Sequence, residues 1–247
     1  MGFEMLGFGK WRTIATALKK LIADKEDTKQ VFIILQAMGE RSSVRAYRRF
    51  KSMPNAKKIL SAERPLVSYL KDHAWLAAQP EGSLGRAYLD FTITEQISAD
   101  GLAQASDDGR GTDPRLSGGH LVFGERQRDA HDLWHVVTGY GRDGLGELAL
   151  LAFTWRQLGN PGILMIIAMG YQAIVREAPQ LRVGKALREG FSMGRRANWL
   201  PAADWEHLLT QPISDVRRTL NMMPPTAYRA VAEQARELEQ ATLAAAE

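Results

Sequence analysis

The chain contains no cysteine. Disulfides, thiolate zinc sites and cysteine nucleophiles are excluded together, so any bound metal must be held by histidine, carboxylate or solvent. Long apolar runs are missing as well. The longest, "GILMIIAMGYQAIV" over 162–175, falls short of the ~18–20 residues that span a bilayer. No secretory signal is recognisable, because Glu4, Asp24, Glu26 and Asp27 precede the first apolar run, "VFIIL". Period-two alternation is nearly lacking, and there is no internal repeat or heptad seam.

What remains is helical patterning. With 247 residues and 45% hydrophobic content the chain can bury a core without staples. The expectation is an all-α fold, one domain over 1–247, built as a multi-helix bundle. "WRTIATALKKLIA" sets Trp11, Ile14, Leu18, Leu21 and Ile22 on one stripe. "DTKQVFIILQAMG" starts from a cap at Asp27 or Thr28, and Gly39 predicts its stop. "SSVRAYRRFK" and "RPLVSYLKDHAWLA" read as two further helices, the second with Pro65 near its first turn. "PEGSLGRAYLDF" turns and becomes helical from Leu84. The polar, glycine-rich stretch 99–119 is the one long loop candidate. Seven segments of helical pattern follow it.

A net charge of +4 is mildly basic. The clusters at 41–51, Arg195–Arg196 and Arg217–Arg218 suit solvated helix faces or an anionic membrane surface. No nucleic-acid recognition module is visible.

The stretch "HDLWHVVTGYGRDGLGE" concentrates chemistry. On a helix His131, Asp132 and His135 fall within an arc of roughly 100°. Imidazoles at i, i+4 can share one ion, and with carboxylate oxygens they suit zinc, manganese, iron or cobalt. A continuous helix would carry Glu147 about 18 Å beyond His135. Gly139, Gly141, Gly144 and Gly146 instead permit a reversal that returns Glu147 in the first turn of the next helix. The bland alternative is a structural histidine pair. A second is an HD-type metal phosphohydrolase, which would recruit His73 or His120 and Asp204 or Asp215.

The order His131, Asp132, Leu133, Trp134, His135, eleven residues, Glu147 resembles the hallmark of the ubiquinone biosynthesis proteins called coenzyme Q protein four. "PEGSLGRAYLDF", "RQRDAHDLWHVVTGYGRDGLGELALLAF" and "DVRRTLNMMPP" are similar to other blocks of that family, so the resemblance covers about 65–226. It implies an all-helical fold with a hydrophobic tunnel for a polyprenyl chain, and a divalent metal, zinc foremost, on His131, Asp132, His135 and Glu147. It implies oxidative decarboxylation, replacing the ring carboxylate of a polyprenylated hydroxybenzoate by hydroxyl, although a non-catalytic scaffold role is the alternative. Peripheral association with an anionic membrane, contact with other ubiquinone-pathway proteins and a homodimer belong to the same expectation. The expected location is the bacterial cytoplasm, at the inner membrane. Asp132 either ligates directly or orients a histidine. On this resemblance Ile163, Met165, Ile166, Met169 and Gly170 become candidates for lining the prenyl site, with Arg195, Arg196, Arg217 and Arg218 as lipid-docking residues.

Overall fold

Apolar residues at helical spacing build every element of the core. The computed structural model describes residues 8–23, 28–97 and 118–244. Among the described residues there are fourteen α-helices and no strand, the all-α architecture expected. The loop candidate over 99–119 and the Asp27 cap lie outside the described residues, apart from Gly118 and Gly119.

Helix α1 (Phe8–Ala23) packs on α2 (Thr28–Lys51), burying Ile14, Ala17 and Leu21 with Ile34. Gly39 does not stop α2, which runs through it for 24 residues. Its role is packing: a β-carbon there would collide with the Asn160 carboxamide, which donates to Leu35 O at 3.0 Å. Short helices follow, α3 (Ala56–Leu60), α4 (Leu66–Leu70) and α5 (His73–Ala77). The single helix expected over 64–77 is therefore two, because Asp72 turns its carboxylate back to cap the Trp75 N–H. Helix α6 (Leu84–Thr94) begins at Leu84 as expected, with Ser83 as its cap.

Helices α7 (Gly119–Asp129) and α8 (His131–Thr138) are nearly one. Ala130 N–H bonds Arg126 O at 3.0 Å, and Trp134 N–H bonds Ala130 O at 3.1 Å. Helix α9 (Gly144–Leu158) is central, burying Leu145, Leu148, Ala149, Leu150, Ala152 and Phe153. It is flanked by α10 (Pro161–Glu177) and α11 (Val183–Arg196). Helix α11 buries Val183, Ala186, Leu187, Gly190, Met193 and Gly194, an i, i+3/i+4 stripe. Its two glycines lie against the α9 backbone, where β-carbons would strike Ala149 O and Phe153 O. Helices α12 (Trp205–Leu208), α13 (Ile213–Thr219) and α14 (Thr226–Ala244) close the fold. The main core runs from Leu66 to Val231, and two smaller clusters sit beneath α1–α2 and beside Phe123.

Candidate metal centre

Helix α8 is short because Gly139 adopts φ 76°, the left-handed cap that a side chain resists. The turn that follows is tight. A β-carbon on Gly146 would collide with the Gly141 backbone, and one on Gly141 would meet Tyr228 Oη and Asp143 Oδ2. Asp143 then starts α9, accepting from Leu145 N at 3.1 Å and Gly146 N at 3.0 Å. Glu147 thus stands in the first turn of α9, and its N–H bonds Asp143 O at 2.9 Å.

His131, His135 and Glu147 each present one ligand atom, all within 4.8 Å of one another. Asp132 stands outside that group: its Oδ1 lies 3.4 Å from Nδ1 of His131, leaving Nε2 of that ring unengaged by it. The His135 ring is fixed by its other nitrogen, since Nδ1 lies 3.1 Å from the Tyr140 carbonyl, which can only accept. Nδ1 therefore carries a proton, so Nε2 is the nitrogen that offers a lone pair whenever only one is protonated. That buried Nε2 has no hydrogen-bond partner and faces Glu147 Oε1 at 3.4 Å. Two lone-pair donors facing each other call for a cation or a proton between them. Phe91 stacks on the His135 ring with centroids 5.8 Å apart.

The electrostatics agree. Burial disfavours the His131 imidazolium, but the hydrogen bond to Asp132 and the charges of Glu147 and Asp132 outweigh it and raise its pKa. Burial pushes Asp132 up, yet His131 and then His135 hold it below the ordinary carboxylate value. Glu147 is likewise pushed up by burial and brought lower on balance by His135, His131 and Arg142. The His131 imidazolium and the two carboxylates thus each favour the charged form, held so by one another.

The scaffold of this site is not legible in the motif. Tyr228 Oη accepts from Gly141 N–H at 2.9 Å and donates to Asp143 Oδ2, clasping the turn from 87 residues away. Arg217 donates to Val136 O at 2.9 Å and Val137 O at 3.1 Å, capping α8. Arg217, a residue expected at a lipid surface, is tied by its guanidinium to the motif helix. Arg218 pairs with Asp215 at 3.0 Å on the surface. Only the Asp143 cap had a readable signal, an aspartate two residues before the apolar run of α9.

The residues an HD-type enzyme would need are elsewhere. Asp204 pairs with Lys58, His120 bonds Ser43 at 2.9 Å, and none of His73, His120, Asp204 and Asp215 joins the group. Of the candidate lipid residues, Ile163 is in the main core, and Met165 and Ile166 pack against the α1–α2 cluster. Met169 is half-buried, and the missing side chain of Gly170 is where Leu148 lies, one residue after Glu147.

An all-helical fold carrying a His-Asp-x-x-His helix with a returning glutamate defines a class of candidate metal-binding proteins. The chain belongs to one family within it: the model of the coenzyme Q (ubiquinone) biosynthesis protein Coq4 matches residues 8–226. The match reaches well upstream of residue 65, where the resemblance legible in the motifs begins. The chain is 28% identical over 196 residues to the mitochondrial ubiquinone biosynthesis protein COQ4 homologue of Bos taurus, covering 79% of this chain and 71% of that one. Against the Rattus norvegicus counterpart it is 29% identical over 179 residues, 72% of this chain and 64% of that one. The fold is shared with a solved Nostoc punctiforme chain described as a ubiquinone biosynthesis protein. That comparison has a TM-score of 0.63 and 22% identity, covering 85% of this chain and 96% of the other. A part in ubiquinone biosynthesis follows from the family. Among the described residues no helix is long and apolar enough to cross a membrane.

Proposed function

We propose that the chain is a metal-dependent enzyme of ubiquinone synthesis that replaces the ring carboxylate of a polyprenylated hydroxybenzoate by hydroxyl. The observation that carries the metal is the buried Nε2 of His135, without a hydrogen-bond partner and aimed at Glu147. His131, His135 and Glu147 would hold the ion, and Asp132 would fix the His131 ring from behind. Three protein ligands leave positions open, as catalytic sites do and closed structural sites do not. The side chains of His131 and Glu147 keep 33% and 36% of their exposure, so a substrate can reach the group. Zinc is the first candidate for this donor set; iron, manganese and cobalt also suit it.

Bound there, a divalent ion supplies Lewis-acid stabilisation of a substrate carboxylate or phenolate. The chain's own groups orient the substrate. Arg142, with Nε 4.0 Å from Glu147 Oε1, adds a cation at the exposed edge where a benzoate can dock. Phe91 walls the His135 side against water. The exchange breaks the ring–carboxylate bond, releases carbon dioxide and forms a C–O bond, so an oxygen-atom donor is a co-substrate. The prenyl tail would leave along α10, where Leu164 and Tyr171 are exposed beside Met165 and Met169, and Gly170 adjoins Leu148. Peripheral contact with a membrane, as a monomer or homodimer among other pathway proteins, fits such a substrate.

Elemental analysis of the purified protein, with His135→Ala and Glu147→Gln, tests the reading. Both variants should stay helical, lose metal and accumulate carboxylated prenyl precursor in cells lacking the native protein. Variants that lose metal and still restore normal ubiquinone would leave a scaffold role in place of catalysis.

A further inference from the structure

A second site lies at the other end of α9. A cavity of about 430 Å³ is lined there by Arg49, Trp155, Arg156, Gly159, Arg195 and Trp199 among others. That volume is within the ~300–1,000 Å³ range of small-molecule sites. From Glu147 to Gln157 the helix rises about 15 Å, so the cavity is distinct from the metal centre.

Three helices end at this cavity. Helix α2 supplies Arg49, α9 supplies Arg156 and α11 supplies Arg195, each from its last turn. Arginines at helix ends ordinarily complement the macrodipole. Three C-termini present roughly −1.5 charges against about +3 from the guanidiniums, so about half of the positive charge is left over. The terminal carbonyls are also served by other donors. Gly159 N–H bonds Trp155 O, the Trp199 indole N–H bonds Gln157 O, and Gln157 Nε2 bonds Gly194 O. No carboxylate lines the cavity, and none of the three guanidiniums has an ion pair or hydrogen bond with a described residue.

Two of these arginines are held in place. Arg49 lies over the Trp199 ring, 4.3 Å from its centroid, and Arg156 lies 5.3 Å from that of Trp155. Cation–π contact engages the face of a guanidinium and leaves its N–H edge free to bond an oxyanion. A surplus of more than one charge, with several N–H forks, matches a phosphate better than a single carboxylate.

We infer that this cavity binds a phosphate group, as a phosphoester or diphosphate, through Arg49, Arg156 and Arg195. The group belongs either to a phospholipid headgroup or to a soluble phosphorylated molecule. The full chain would be titrated by calorimetry with inorganic pyrophosphate in phosphate-free buffer, and sedimented with phosphatidic acid vesicles. Arg49→Gln, Arg156→Gln and Arg195→Gln would be run beside Arg156→Lys, with circular dichroism and metal content as controls.

Saturable pyrophosphate binding is expected, about tenfold or more weaker in each Arg→Gln variant and less so in Arg156→Lys. Metal content stays at the parent level. Vesicle capture that pyrophosphate competes away, and that the same substitutions abolish, identifies a headgroup. Pyrophosphate binding without vesicle capture identifies a soluble ligand. Absence of saturable pyrophosphate binding, or binding equal in all variants, overturns the site and leaves the arginines to the helix ends.

Discussion

Tyr228→Phe isolates the contact that holds the glycine turn. Phenylalanine keeps the ring in its edge-on packing against Tyr140, centroids 5.4 Å apart, and deletes only the hydroxyl. Two hydrogen bonds go with it, one from Gly141 N–H and one to the Asp143 carboxylate. A neutral bond contributes about 1 kcal/mol and one to a charged group about 1.5–3 kcal/mol. Asp143 is exposed, so water recovers part of the second. A net loss of about 2 kcal/mol is therefore expected in urea unfolding. The local effect reaches further, because Asp143 caps α9 through Leu145 and Gly146 while its carbonyl holds Glu147 N–H. Loosening Asp143 loosens Glu147. Residues that support metal ligands commonly tune affinity about 10–100-fold, and about tenfold weaker metal binding is expected here. If the variant loses stability while binding metal as tightly as the parent, the turn does not position Glu147.

Three further outcomes are expected. Asp132→Asn should weaken metal binding about 10–100-fold without abolishing it, whereas His131→Ala should abolish it; equal loss in both would make Asp132 a ligand. Gly146→Ala forces a β-carbon into the Gly141 backbone and should destabilise by about 1–3 kcal/mol with loss of metal; parent-like behaviour in thermal unfolding and metal analysis would contradict the tight turn. In metal-free protein the raised His131 contributes stability below its unfolded value of about 6.5, lost as pH rises through its folded value, while the lowered Asp132 and Glu147 contribute above about 4, lost as pH falls. Stability should peak between these limits, and a urea midpoint unchanged from about pH 3 to pH 8 would refute the coupling.

The helices were legible where their signal was local. Periodicity marked α1, α9, α10 and α11, and the turn in "PEGSLGRAYLDF" placed the start of α6 at Leu84. Gly39 misled because a glycine lowers helix propensity wherever it sits, and nothing in the sequence shows Asn160 lying against it. The break at Asp72 is a capping choice that competes with a plausible apolar pattern, and the side-chain bond to the Trp75 N–H makes it.

The site divides along the same line. His131 and His135 share a helix face by arithmetic, and four glycines announce a reversal that could return Glu147. Asp132 shows the limit of that arithmetic. It lies about 100° round the helix from His131, and its short stem reaches the Nδ1 of that ring rather than the shared group. A string of four ligand-type residues thus becomes three that converge and one behind them. Nor could the motif disclose what makes the convergence rigid. The Tyr140 carbonyl is invisible as a side chain, and Tyr228 and Arg217 arrive from helices at least 80 residues away. These contacts depend on α13 and α14 packing beside α8 and α9. The candidate ligands are therefore written locally, and their geometry only by the whole fold.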